Sequence, residues 1–345
     1  MKSFYGTTKK LGIDMGSSQI RIFSENKLIL SESSAVAIDY IDKSVVAFGI
    51  NAIVRYNQEP EKIQLIWPIK CGVMTDYNLV KSMMNYFISK ALKKSASKPI
   101  VMLSIPCDMS AVVRHAFVDA AIHAGVQKVF LISSSAAAAI GSGSILYLPE
   151  TICSVVIGSE VTECGIFASG GLLQSNNIEF GGKLIDKGLR SFLREEYNIH
   201  ISLNQAEILK KNIGESIAET GVKNSLTVRG RRVKDGVEVI CELNYNEIYG
   251  LMHHLFEPAV NLVKKMFYEI TPEMAEDLMI NGILLSGGTA LFPDIADFFA
   301  SELGVPVYVS ENPDISVVKG CYLALTEFSK KLLIIENGEK YYGGA

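Results

Sequence analysis

The residue types in Leu11-Gly12-Ile13-Asp14-Met15-Gly16-Ser17-Ser18-Gln19-Ile20-Arg21-Ile22-Phe23 suit anion binding. Two short runs with apolar residues at alternate positions flank a small-residue turn, the pattern of a tight hairpin. Glycine and serine leave room for a phosphate group. Backbone N–H groups and the Ser17 and Ser18 hydroxyls can donate to its oxygens, and Asp14 can hold a magnesium ion through water. The same residue types also serve an ordinary turn. A partial echo follows at Val155 to Phe167, where an apolar strand, the turn Gly158-Ser159-Glu160-Val161 and a second strand recur. A third glycine turn, Ser286-Gly287-Gly288, follows the apolar run Ile283-Leu284-Leu285 and leads toward a helix at Pro293-Asp294. The echo implies two related halves, and the three turns can converge on one nucleotide from both sides of a cleft.

The elements that must hold these turns follow from periodicity and caps. After the first hairpin, Lys27 to Leu30 and Val45 to Gly49 read as strands, and Asn57-Gln58-Glu59-Pro60 as polar connection. Val80, Met83, Phe87 and Ala91 keep helical spacing behind Asp76, a suitable cap. That helix stops in the basic stretch Lys90 to Pro99. Ile100 to Ile105 reads as a strand, Ser110 caps a helix closed by Gly125, and Val129 to Ile132 is the next strand, which predicts parallel neighbours joined by a right-handed crossover. Further on, helices are expected at about 184–197, 205–216 and 246–269, with a hairpin between Val228 and Val239 turning at Asp235-Gly236. Pro293-Asp294 opens a helix ending at Gly304, Val305 to Val309 is a strand, 317–333 is helical, and Tyr341 to Ala345 is a loose tail.

The 345 residues, 48% hydrophobic and 20% charged, can bury a large core and suit two domains. A net charge of −4 argues against a nucleic-acid partner, which calls for a basic face. Six cysteines lie scattered without metal-ligand spacing, as expected of reduced, mostly buried thiols. The start of the chain is too short and polar for a signal peptide, and no apolar run suits a membrane span, so a cytoplasmic protein is expected. Phe4 and Tyr5 beside Lys2, Lys9 and Lys10 offer one contact to an anionic membrane surface, and Lys93, Lys94 and Lys98 a second. A frayed terminus and a solvated helix end are the plainer accounts of the two.

The order of these turns resembles that of the actin-like ATPases, and most closely the bacterial MreB cytoskeletal family, over nearly the whole chain. Leu11 to Gly16 is similar to the family's first phosphate loop. Trp67-Pro68-Ile69-Lys70-Cys71-Gly72-Val73 is similar to its Arg-Pro-Met-Lys-Asp-Gly-Val, and Ala136 to Gly143 to the segment before its second phosphate loop. Arg229-Gly230-Arg231 and Ser286-Gly287-Gly288 match as well. The resemblance implies an α/β actin-like fold of duplicated ribonuclease-H-like domains, with four subdomains around a cleft holding ATP and Mg2+. Domain I would span 1–150 with a small insert at about 31–75. Domain II would span 151–345 with a small subdomain at about 186–254, its helix 317–333 packing back on domain I. Asp14, Gly16, Ser17, Ser18 and Gln19 would face phosphates and metal, with Asp14 the metal residue. Gly158, Ser159, Glu160 and Thr162 would form the second phosphate turn, and Gly287 and Gly288 would approach the adenosine. Glu207 and Lys210 would lie near ribose and base, although periodicity alone makes them the exposed face of a helix. Family members stack head to tail into filaments on the inner membrane face and direct cell-wall synthesis, which implies partners among MreB paralogues and the cell-elongation machinery.

The departures fall on the chemistry. The family's Asp-Ile-Gly-Gly-Gly-Thr-Thr-Glu is matched by Val156 to Glu163, so valine replaces the aspartate that helps hold the metal, and Glu160 would repel phosphate unless magnesium bridges it. The family's Leu-Ile-Glu-Glu-Pro is matched by Leu131-Ile132-Ser133-Ser134-Ser135, so Ser134 replaces the glutamate that orients the attacking water. No catalytic residue is then intact, and slow or absent ATP hydrolysis is expected. The competing expectations are a nucleotide-free structural paralogue that co-assembles with an active MreB, and an active ATPase or kinase on the same fold.

Overall fold

The structure, a computed structural model, describes residues 8–93, 98–220, 225–328 and 332–341. Buried Leu11, Ile13 and Met15 on β1 (Lys10–Met15) and Ile20 and Ile22 on β2 (Gln19–Ser24) make the predicted hairpin, which β3 (Lys27–Ser33) extends antiparallel. Next, β4 (Val36–Asp39), β5 (Val45–Phe48), α1 (Ile50–Gln58) and β6 (Ile63–Ile66) close over Ala35, Ala37, Ala52 and Ile63. Of these only β5 is legible in the sequence. Asn57 and Gln58 end a helix rather than forming an open connection. The helix has one fully buried residue, the small Ala52, while Ile50 and Val54 face solvent, so no apolar stripe announces it.

The chain continues through β7 (Ile69–Lys70), β8 (Val73–Met74), α2 (Tyr77–Leu92), β9 (Ile100–Ile105), α3 (Ala111–His123), β10 (Lys128–Ser133) and α4 (Ser134–Gly141). Asp76 caps α2 by accepting from Leu79 N at 3.0 Å, and Ser110 caps α3 by accepting from Val113 N at 3.4 Å. β9 and β10 are parallel neighbours, as their order predicts.

The second half opens with β11 (Ile152–Ile157), β12 (Thr162–Ala168) and β13 (Gly171–Ile178), an antiparallel meander. Then come α5 (Gly182–Glu196), β14 (Ile199–His200), α6 (Leu203–Thr220), β15 (Ser225–Arg232), β16 (Glu238–Asn244) and α7 (Tyr245–Phe267). Gly236, at φ 71°, turns the β15–β16 hairpin where Asp-Gly predicts it. The rest is α8 (Pro272–Asn281), β17 (Ile283–Ser286), a 3-10 turn at Gly288–Leu291, α9 (Ile295–Leu303), β18 (Val307–Val309), α10 (Ser316–Leu323) and β19 (Glu336–Asn337). The helical backbone of α10 runs on as a π turn to Phe328; the part of the expected helix at 329–331 lies outside the described residues, and Leu332 and Leu333 are not helical but lead to β19, which pairs with β10. Tyr341 is not a loose end: its hydroxyl donates to Glu336 at 2.8 Å.

The echo in the sequence is a repeat of topology. One sheet runs β19-β10-β9-β1-β2-β3 and the other β13-β12-β11-β17-β18. In the first, β1 lies between antiparallel β2 and parallel β9. In the second, β11 lies between antiparallel β12 and parallel β17. Between the sheets, α4 and α10 meet backbone to backbone. A Cβ on Gly320 would stand 1.7 Å from the Ala137 carbonyl oxygen, and one on Gly141 would stand 1.9 Å from that of Ser316. Gly12 brings β1 close to α10 as well, where a Cβ would stand 2.5 Å from Tyr322 N.

Candidate functional site

Both hairpin tips are closed in the same way. Gly16 N donates to Gln19 O, and Gly158 N to Val161 O, each at 2.9 Å. Each leaves two residues at the tip, Ser17-Ser18 and Ser159-Glu160. The first tip is braced from behind: Ser34 Oγ donates to Gly16 O at 2.6 Å and Ser34 N to Ser18 O at 3.0 Å. Asp14 leads into it, with Oδ1 accepting from Ser104 Oγ at 2.7 Å. Burial raises the Asp14 pKa, and the Ser104 hydrogen bond and the Arg21 charge only partly oppose that.

The second tip is braced by the other two glycine segments. Gly182 N donates to Gly158 O at 3.0 Å, and Lys183 N to Ser159 O at 2.9 Å, so carbonyls of the turn satisfy the first amides of α5. Thr289 Oγ1 donates to Gly158 O at 2.8 Å. A Cβ on Gly181 would meet that same carbonyl at 2.6 Å, and Gly287, at φ +93°, would drive one to 2.3 Å from Ile157 O. Only glycine fits at either place. Gly288 differs, because nothing lies within 4 Å of where its Cβ would be, so the third turn keeps an open face beside the second.

Glu160 ties the second tip to the first half of the chain. One carboxylate oxygen accepts from Lys183 Nζ at 2.7 Å and the other from Cys71 N at 2.8 Å. Burial would push this carboxyl up, but Lys183, Cys71 and Ser17 together hold its pKa below the ordinary value. Like-charge repulsion is the sequence-based expectation for this position. The carboxylate has the Lys183 ammonium as a partner within the chain, and nothing in the spacing of residues 160 and 183 signals that pairing. Lys183 Nζ is also 5.8 Å from the centre of the Trp67 ring.

The other expected residues are placed unevenly. Lys210 Nζ donates to Asp186 Oδ1 at 2.7 Å and to Gly182 O at 3.1 Å, beside the second tip. Glu207 pairs with Lys211 at 2.8 Å on the same helix. Thr162 is fully buried and donates to Phe180 O at 3.0 Å, so its hydroxyl braces the strand pair rather than the open side of the turn. Ser134 opens α4, and Val156 packs with Ala136 to Ala139 and Cys321, an apolar setting with no role for a metal-bound water. A residue missed from the sequence is Glu163. Fully buried on β12, it accepts from Ser135 N at 2.7 Å and Cys107 N at 3.0 Å, tying the second sheet to two segments of the first half. Burial pushes its pKa up to about 7 against those donors. An acid between Thr162 and Cys164, on a strand otherwise apolar, was the available signal.

These residues fit a nucleotide: paired tips, backbone glycines and an open face at Gly288. They fit a metal less directly. Among the described residues no group of three or more His, Cys, Asp or Glu is arranged to hold an ion. Asp14 is the remaining carboxylate at the tips without a lysine partner, so a magnesium ion would be carried chiefly by phosphate oxygens and water.

The profile of the MreB/Mbl protein family matches residues 8–332. The cell shape-determining protein MreB of Escherichia coli K12 is 32% identical over 330 residues, covering 93% of this chain and 94% of that protein. The cell shape-determining protein Mbl of Bacillus subtilis is 28% identical over 324 residues, 93% of this chain and 97% of that one. Among solved structures, MreB5 of Spiroplasma citri bound to AMPPNP superposes with a TM-score of 0.84 at 25% identity, covering 92% of this chain and 96% of that one. The MamK double helical filament shares the fold, with a TM-score of 0.76 at 16% identity over 93% of this chain and 99% of its own. The duplicated sheets and paired hairpin tips are therefore those of the actin-like ATPase fold, and the chain belongs to the MreB/Mbl family.

Proposed function

We propose that this chain is a nucleotide-binding subunit of a cell-shape filament, with weak or absent ATP hydrolysis. The observation that carries the reading is the pair of matched hairpin tips, the second bonded to the first half through Glu160 and Cys71 N and flanked by the open turn at Gly288. The related MreB5 of Spiroplasma citri has been solved with AMPPNP and with ADP, which supports the same ligand class here. Backbone amides and hydroxyls at Gly16, Ser17, Ser18, Gln19, Gly158 and Ser159 would hold phosphates, Gly287 and Gly288 the adenosine, and Asp14 the water shell of magnesium. Lys210 and Glu207 would border the ribose and base. Bound magnesium would neutralise phosphate charge. For hydrolysis, the family's carboxylate beside the attacking water is missing at Ser134, and general-base help is worth about 10²–10⁴-fold in rate.

Calorimetry with ATP and magnesium, with phosphate release followed on the same sample, tests the reading. Tight binding without turnover above background is expected, and Asp14→Ala should lose the magnesium-dependent part. Absence of binding would favour the structural-paralogue reading, to which Val156 and the Lys183 partner of Glu160 lend weight. Self-assembly is supported by the fold shared with the MamK filament. MreB paralogues and the cell-elongation machinery are the partners the family suggests. Membrane contact through Lys93 and Lys98, or through Phe4, Tyr5 and Lys94, which lie outside the described residues, is part of the same proposal and is checked by flotation with anionic vesicles.

A further inference from the structure

The second phosphate turn brings its own anion to the cleft. The Glu160 carboxylate collects two kinds of donor, one on each oxygen: the Lys183 ammonium at the start of α5 and the backbone N–H of Cys71 from the β7–β8 turn. Ammonium and amide are donors a phosphoryl group recruits. Two features show the arrangement to be built rather than incidental. Cys71 sits at φ 47°, a conformation that costs a non-glycine residue energy, and there its N–H serves Glu160. Lys183 is held at both ends, its amide by Ser159 O and its ammonium between Glu160 and the Trp67 ring. The donors come from both halves of the chain, so the carboxylate ties the second tip to the β7–β8 turn of the first half.

A phosphate that bridged the same tips would meet this carboxylate. Either Glu160 gives up its donors, or two anions stand side by side; both weaken a ligand with a terminal phosphate more than one without it. We infer that Glu160 takes the place of the terminal phosphate between the two tips, and that the site binds a nucleoside diphosphate in preference to a triphosphate. This rests on the nucleotide reading above and adds to it a choice of ligand.

The test is calorimetry on the full chain with ADP and with AMPPNP, each with magnesium, for the wild type, Glu160→Gln and Glu160→Gly. The wild type should bind ADP at least about tenfold more tightly than AMPPNP, a difference of about 1.4 kcal/mol. Both variants should bring the two affinities within about threefold of each other, chiefly by tightening AMPPNP. The glycine variant keeps the test available if the glutamine variant does not fold. Equal affinities in the wild type, or an equal change for both nucleotides in the variants, overturns the inference while leaving the nucleotide reading standing. No heat with either nucleotide for any folded variant overturns the nucleotide reading, and this inference falls with it.

Discussion

At Glu163 two effects oppose each other within one side chain. The amides of Ser135 and Cys107 favour the anion, while complete burial and the nearby Asp108 favour the acid, which prevails and lifts the pKa to about 7. In the unfolded chain this carboxyl titrates at its ordinary 4.5. Between those values the folded chain holds a proton that the unfolded chain has released, so stability falls as pH rises through the window and levels off above it. Urea unfolding at pH 5 and pH 7.5 should show that loss in the wild type and a smaller one in Glu163→Gln, whose amide cannot ionise. Ser134 makes a second prediction at this scale. Ser134→Glu restores a carboxylate at the start of α4 and should raise phosphate release about tenfold or more, measured in single turnover. The turns at Gly16-Ser17 and Ser286-Gly287-Gly288 were legible because a tight turn restricts residue type locally. The Lys183 partner of Glu160 was not, because a salt bridge between residues 23 apart depends on how α5 meets the hairpin.

Elements were legible where one face carries large apolar side chains or an end carries a cap, as in β1, β2, α2 and α3. They were illegible where contact is made by small residues. α4 holds the run Ala136 to Ala139 and meets α10 through Gly141 and Gly320, so its buried face has almost no hydrophobic signature, yet it is one of the contacts between the two halves. Gly320→Ala puts a methyl group 1.7 Å from the Ala137 carbonyl oxygen, and neither helix backbone can yield without moving a sheet. A loss of about 3 kcal/mol or more is expected in denaturant unfolding. Gly250→Ala is the contrast. It lies within α7, outside the left-handed region, with nothing within 4 Å of the added carbon. There the lower backbone entropy of alanine in the unfolded chain should stabilise the protein by about 0.5–1 kcal/mol.

At the scale of the whole molecule, two sheets share one strand order and each carries a hairpin closed in the same way, so a ligand held by both tips would join the halves, and any head-to-tail contact must use two different surfaces of the chain. The turn between β4 and β5 suits one of those surfaces: Ile41 is 88% exposed and Tyr40 62% exposed at its tip, while Asp39 Oδ1 accepts from Ile41 N at 2.8 Å and keeps the turn in shape. An isoleucine this exposed contributes little to folding, and its replacement by a charge changes stability by no more than about 0.5 kcal/mol. Ile41→Asp should therefore melt with the wild type and bind nucleotide as the wild type does, yet fail to pellet at protein concentrations where the wild type sediments as polymer. If the variant pellets normally, the longitudinal contact does not use this turn. If it melts early, the turn has a folding role that its exposure does not reveal. Because the substitution lies far in sequence from Ser17, Glu160 and Gly288, loss of the pellet with nucleotide affinity intact would separate assembly from ligand binding, the two properties that the family resemblance joins.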